Sequence, residues 1–114
     1  MNTSQCISFE DFMKIDLRVG TIKSAKWNEK AKKPAYILEI DFGLLGVKKS
    51  SAQISETYTT EELINSQVIA VLNFPPKRVA GVKSEVLVLA VVEENGRAIL
   101  LRPTQEVENG LKVA

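Results

Sequence analysis

The chain is 114 residues long, 45% hydrophobic and 25% charged, with a formal net charge of +1 and no histidine. That length supports one core and leaves no room for a second, and the composition is that of a foldable domain rather than a disordered tail. No apolar run reaches the roughly 18 to 20 residues needed to cross a bilayer, and the N-terminal MNTSQCISFEDF lacks the cationic start and apolar block of a secretory signal, so a cytoplasmic location without membrane insertion is expected.

The first element expected is a helix over about Phe9 to Lys14, with Ser8 and Asp11 placed to satisfy its first free amides and Phe9, Phe12 and Met13 on one face. Asp16 to Ala25 reads as a bent strand. Leu17 and Val19 alternate with Arg18, Ile22 falls in the opposite phase, and Gly20 between them predicts a bulge or bend. A loop follows in which Lys23, Lys26, Lys30, Lys32 and Lys33 face a single acid, Glu29. Tyr36, Leu38, Ile40 and Phe42 alternate with Ile37, Glu39 and Asp41, predicting a strand with one buried face. Gly43 and Gly46 bracket a turn, and Val47 to Ile54 predicts a polar third strand.

Thr59 with Glu62 forms a capping-box pattern ahead of a short helix over about Glu61 to Asn65. Gln67 to Phe74 and Glu85 to Val92 are near-continuous apolar, β-branched runs and predict central strands. Between them runs a long connection with two prolines and three cations, suited to one wall of a binding groove, with Pro75 and Pro76 stiffening it. Asn95-Gly96 predicts a two-residue hairpin turn into Ala98 to Arg102. Asn109-Gly110 marks a last turn before Leu111 to Val113, a tail that either covers its own barrel or pairs with a second chain.

Three strands, a short helix, two strands and a small β extension predict an all-β, five-stranded Greek-key barrel of the oligonucleotide/oligosaccharide-binding (OB) class, with the helix plugging one end. The whole chain, 1–114, is expected to form one domain, with a core over about 15–92 and a C-terminal extension over 93–114. The chemistry is bounded by what is missing. Without histidine there is no usual general base near neutral pH and no Ser-His or Cys-His pair. The single Cys6 neither forms an internal disulfide nor builds a zinc site. No phosphate-cradling glycine loop is present, and Lys83 and Ser84, adjacent on a strand, face opposite ways. A non-enzymatic binding module with no cofactor and no metal is expected. Ligands of such barrels lie on strands two and three and in the loops joining strands one to two and four to five. Those places hold Lys32 and Lys33 beside Trp27, then Lys49, Ser51 and Gln53, then Lys77, Arg78 and Lys83. Trp27 offers either a base-stacking surface or a cap on the barrel rim.

FEDFMKIDLRVGTI, SSAQI, TTEELIN, VIAVLNFPPKRVAGVKSEVLVL and LLRPTQEVENGLKV together resemble the CsaA family of small protein-export chaperones, over nearly the whole chain. That family is part of a wider group of OB-fold tRNA-binding domains, which includes free-standing tRNA-binding proteins and the C-terminal appendage of many methionyl-tRNA synthetases. The resemblance implies a homodimer joined through the N- and C-terminal additions, and binding of unfolded preproteins and of the SecA translocation motor, with tRNA as the alternative ligand. It implies binding roles for Lys49, Ser51, Gln53, Asn73, Arg78, Lys83 and Ser84. The tRNA-binding relatives usually carry a His-Pro-Asp-Ala-Asp type loop where this chain has Trp27 to Ala31. They also have a Ser-x-Gly-Met step where it reads Ser84-Glu85-Val86-Leu87.

Overall fold

The computed structural model describes residues 5–114; residues 1–4, part of the stretch read above for a secretory signal, lie outside the described residues. Helix α1 (Phe9–Met13) starts as its sequence requires, with the Ser8 hydroxyl accepting the Asp11 amide at 3.0 Å. The Asp11 carboxylate turns instead to Lys14, 3.2 Å away. Strand β1 (Leu17–Trp27) pairs with β2 (Tyr36–Asp41) and, on its other edge, with β4 (Gln67–Val71), while β3 (Val47–Ala52) pairs with β2, every pair antiparallel. A 3-10 turn, Gly43–Leu45, joins β2 to β3. Helix α2 (Thr60–Leu63) lies between β3 and β4, as expected.

The core follows from alternation. Leu38, Ile40 and Phe42 are fully buried and Tyr36 nearly so, while the intervening residues of β2 are half-exposed. Each such side chain contributes roughly 1.5 to 3 kcal/mol by leaving water. Ile22, Leu63 and Val68 complete the same cluster from β1, α2 and β4. The capping box of α2 is complete: Thr59 Oγ1 accepts the Glu62 amide at 3.2 Å, and Glu62 Oε1 accepts the Thr59 amide at 2.9 Å. The Thr59 amide, with help from its hydroxyl, holds the Glu62 carboxyl below the usual carboxylate range. The helix exit is tied to β1 by Asn65 N–H to Ile22 O at 2.8 Å and Ile22 N–H to Ser66 O at 2.9 Å, which seats Leu63 in the barrel end.

Three sequence expectations are corrected. The irregularity in β1 falls at Lys23, where the register with β2 shifts, and not at Gly20, which pairs regularly with Val68. The phase change has another cause: Leu17 and Val19 are buried outside the core cluster, on the face opposite Ile22. The run from Glu85 to Val92 is not one doubly buried strand. It splits into β7 (Leu87–Val88) and β8 (Ala90–Val92), with Leu87, Val91 and Val92 at least half exposed. Leu89 is the switch: its N–H donates to Ile69 O in β4, while its carbonyl accepts from Leu101, so the chain leaves one sheet for another. There β8 pairs with β9 (Ala98–Leu100). The turn joining them spans three residues, since Glu93 N–H bonds Arg97 O; Gly96 alone has positive φ, +87°, giving the longer loop with a left-handed glycine rather than a two-residue turn.

The long connection after β4 carries a hairpin of its own, β5 (Lys77–Val79) with β6 (Val82–Ser84), turning at Ala80 and Gly81, both at positive φ (46° and 82°). The main sheet runs β3-β2-β1-β4-β7 and rolls until β3 approaches β6 and β7, giving a nearly closed OB-like barrel. The C-terminal tail folds onto its own β1: Val19 N–H donates to Leu111 O, and Val113 N–H to Leu17 O at 2.9 Å.

Candidate functional site

The β5–β6 hairpin is tied at its base to the free edge of β3. Its base is held by Glu85 N–H to Lys49 O at 2.8 Å, by Glu85 Oε1 accepting the Lys49 amide at 3.1 Å, and by Ser84 Oγ accepting the Ser51 amide at 3.1 Å. Two of these three bonds use side chains, so the barrel is latched here rather than laddered. At the tip, Asn28 Nδ2 donates to Ala80 O at 3.4 Å. Asn28 Oδ1 accepts the Lys30 amide at 3.1 Å, and the Asn28 backbone N–H donates to Ala35 O at 2.9 Å. Asn28 is 5% exposed and organises the lysine loop against the hairpin. Sequence reasoning passed over it, although an Asn just after a strand, bonding two residues ahead, is a known turn signal.

Two concavities lie between β3 and the hairpin. One, about 320 Å³, is lined by Ser51, Lys77, Ser84 and Glu85, whose carboxylate is engaged by the Lys49 amide, with an apolar side of Phe74, Pro75, Val86 and Leu87. The other, about 450 Å³, is lined by Lys30, Lys32, Lys33, Gln53 and Ala80. Ser51 and Val79 belong to both, so the two are continuous. Thus Lys32, Lys33, Ser51, Gln53, Lys77 and Ser84, drawn from three separated segments, border one groove. Lys49 is exposed on β3, its backbone engaged in the latch.

Arg78 and Lys83 are placed differently. They stand opposite each other across the hairpin, and alternation turns them to the face away from Lys77, Val79 and Ser84. Both are exposed, and neither takes part in the ion pairs found among the described residues. Trp27, about half exposed, packs edge-on to Tyr36 with ring centroids 5.8 Å apart at the barrel rim and borders neither concavity.

Asn73 lies away from the groove. Its Nδ2 donates to Lys14 O at 2.6 Å and its Oδ1 accepts the Asp16 amide at 2.9 Å, clipping the end of β4 to the junction of α1 and β1. Asn73→Ala is expected to lower stability by about 1 to 2 kcal/mol while leaving the ligand affinity of the folded protein unchanged. Urea denaturation paired with a binding titration checks both halves.

The groove has the makings of a binding surface: an apolar wall, amide and hydroxyl groups, and a cationic margin. Among the described residues, no group of three His, Cys, Asp or Glu side chains gathers to hold a metal ion.

Residues 17–112 match the family model of the tRNA binding domain. The chaperone CsaA from Bacillus anthracis superposes with a TM-score of 0.91 at 55% identity, over 96% of this chain and 99% of that one. A CsaA chaperone protein from Picrophilus torridus gives 0.88 at 50% identity, over 96% and 100%. Methionine–tRNA ligase of Methanococcoides burtonii is 39% identical over 91% of this chain, which spans only 15% of the ligase.

Proposed function

Because the chain belongs to the tRNA-binding domain family and, within it, groups with the CsaA chaperones, we propose that it is a non-enzymatic, homodimeric chaperone that holds unfolded preproteins for export. The observation that carries this reading is the groove's composition: Phe74 and Leu87, each about half exposed, stand beside Lys77 and the Ser51–Ser84 latch. An extended polypeptide offers apolar side chains to such a wall and acidic side chains or a carboxylate to such a margin. Affinity would be sequence-tolerant, since the polar groups of Ser51 and Gln53 suit a peptide backbone. The dimer has a physical motive as well. Phe9, Leu44, Val47 and Leu111 leave apolar surface exposed at the α1, 3-10 turn and tail end of the molecule, and pairing two chains would cover it. SecA, a cytoplasmic setting and the client preproteins follow from the family reading.

The second reading is tRNA binding. Arg78 and Lys83, opposed and unneutralised on the outer face of the hairpin, favour it. One set of titrations separates the two. For an unfolded preprotein, the Phe74→Ser, Lys77→Ala variant is expected to bind at least about tenfold more weakly, and Arg78→Ala with Lys83→Ala to bind as the parent does. Unchanged affinity in the first variant overturns the groove. For tRNA, the slope of log K against log salt is expected to fall by about 0.7 to 0.9 for each cation that neutralises a phosphate, so losing Arg78 and Lys83 flattens it if that reading holds.

A further inference from the structure

The groove does not end at Leu87. No ladder joins β3 to β7 among the described residues, and the bonds that latch the seam stop at Ser51. Beyond that point the seam opens into a third concavity, about 290 Å³, between Gln53 and Ile54 on one side and Ala90 and Val92 on the other. It shares Leu87 with the first concavity and Gln53 with the second, and Ser51 with both, so the three form one trough. Its two ends differ in chemistry. Lys32, Lys33 and Lys77 border one end. The other has no cation on its walls, exposes Val92 at 69%, and is followed by Glu93, which pairs with Arg97 at 3.4 Å, and by Glu94.

We propose that the trough binds an extended polypeptide segment in a polarised way, with acidic side chains at the lysine end and apolar side chains between Leu87 and Val92. This rests on the polypeptide reading above and adds to it the chemical class and placement of the segment. A nucleic-acid strand fits the far end poorly, because no cation lines its walls and the neighbouring Arg97 is already paired with Glu93, 3.4 Å away. An extended chain fits because it lays alternate side chains into pockets and turns its backbone toward the unladdered end of β3. Glu94, outside the ion pairs found among the described residues, adds to the polarity, since it repels acidic residues of the ligand from that end.

The test is calorimetric titration of the full chain with three synthetic peptides of equal length: an acidic block joined to a Leu/Val block, and each block extended alone with Gly/Ser. The joined peptide is expected to bind at least about tenfold more tightly than either block. Val92→Asp, at an exposed position, is expected to remove that gain and leave the acidic peptide's affinity unchanged. Lys32→Ala with Lys33→Ala is expected to weaken the joined and acidic peptides and spare the apolar one. If Val92→Asp changes nothing while Phe74→Ser still weakens the joined peptide, the polypeptide reading survives and the extended trough is wrong. If neither substitution matters, the polypeptide reading falls as well. If Val92→Asp alters only the mass in sedimentation, that face is an interface between copies of the chain and the proposal is overturned.

Discussion

Gly20→Ala is expected to destabilise the fold by about 1 to 3 kcal/mol, the cost of overpacking a filled core. A methyl group at that position would sit 2.7 Å from Ile40 Cγ2 and from two ring carbons of Phe42. Neither neighbour has anywhere to go, since both are fully buried. Gly20 is held in register with Val68 on the β4 side, so β1 cannot relieve the clash by moving alone. The opposing gain, a stiffer unfolded chain, amounts to only about 0.4 to 1 kcal/mol. A thermal melt reads the difference, about 4 to 8 °C per kcal/mol for a domain near 100 residues. Stability within about 0.5 kcal/mol of the parent contradicts the packing account. The groove is remote from this contact, so the fraction that folds should bind its ligand as before.

The C-terminal tail offers the second large effect. Gly110 has φ +92°, and a Cβ there would lie 2.5 Å from the Phe42 carbonyl oxygen; reciprocally, a Cβ on Gly43 would lie 2.5 Å from Asn109 O. Here backbone meets backbone, and no side-chain rotation gives relief. Gly110→Ala therefore forces the tail away from β1 and from the bonds that hold it, including Gly110 N–H to Val19 O at 2.7 Å, Arg18 Nη1 to Gly110 O at 3.1 Å, and Thr21 Oγ1 to Asn109 Oδ1 at 2.8 Å. Left-handed strain together with partial loss of these bonds is expected to cost about 2 to 4 kcal/mol. Gly46→Ala is the control. Its φ is +93° but nothing lies within 4 Å of the added carbon, so only the strain remains. Because Leu111 belongs to the apolar end proposed for pairing two chains, Gly110→Ala should also shift the sedimentation profile toward monomer, whereas Gly46→Ala should not. Equal losses in both variants would mean that the close approach to Phe42 carries no weight.

Much of this architecture was legible in the chain itself. The alternation of Tyr36, Leu38, Ile40 and Phe42 marks β2 and its buried side, and the Ser8 and Thr59 caps locate both helices to within a residue or two. The absence of histidine bounds the chemistry, and the residues that carry the family likeness are contiguous blocks. These features depend on neighbours only a few positions apart, where covalent geometry and side-chain period set the outcome.

Other features were not legible. The β5–β6 hairpin escaped notice because Ala80-Gly81 is a weak signal for a turn needing positive φ at both positions. Its short strands also carry little apolar alternation to betray them. Period two then separates Lys77 and Ser84 from Arg78 and Lys83, yet which pair faces the groove depends on how the hairpin is docked, through Asn28 at its tip and Glu85 at its base. Likewise, Asn73 looks like any polar residue at a strand end until the α1–β1 junction is folded beside it. Nearness of residues 32, 51 and 84 is a product of barrel closure and packing, interactions spread over the whole chain, and no local stretch of residues encodes it.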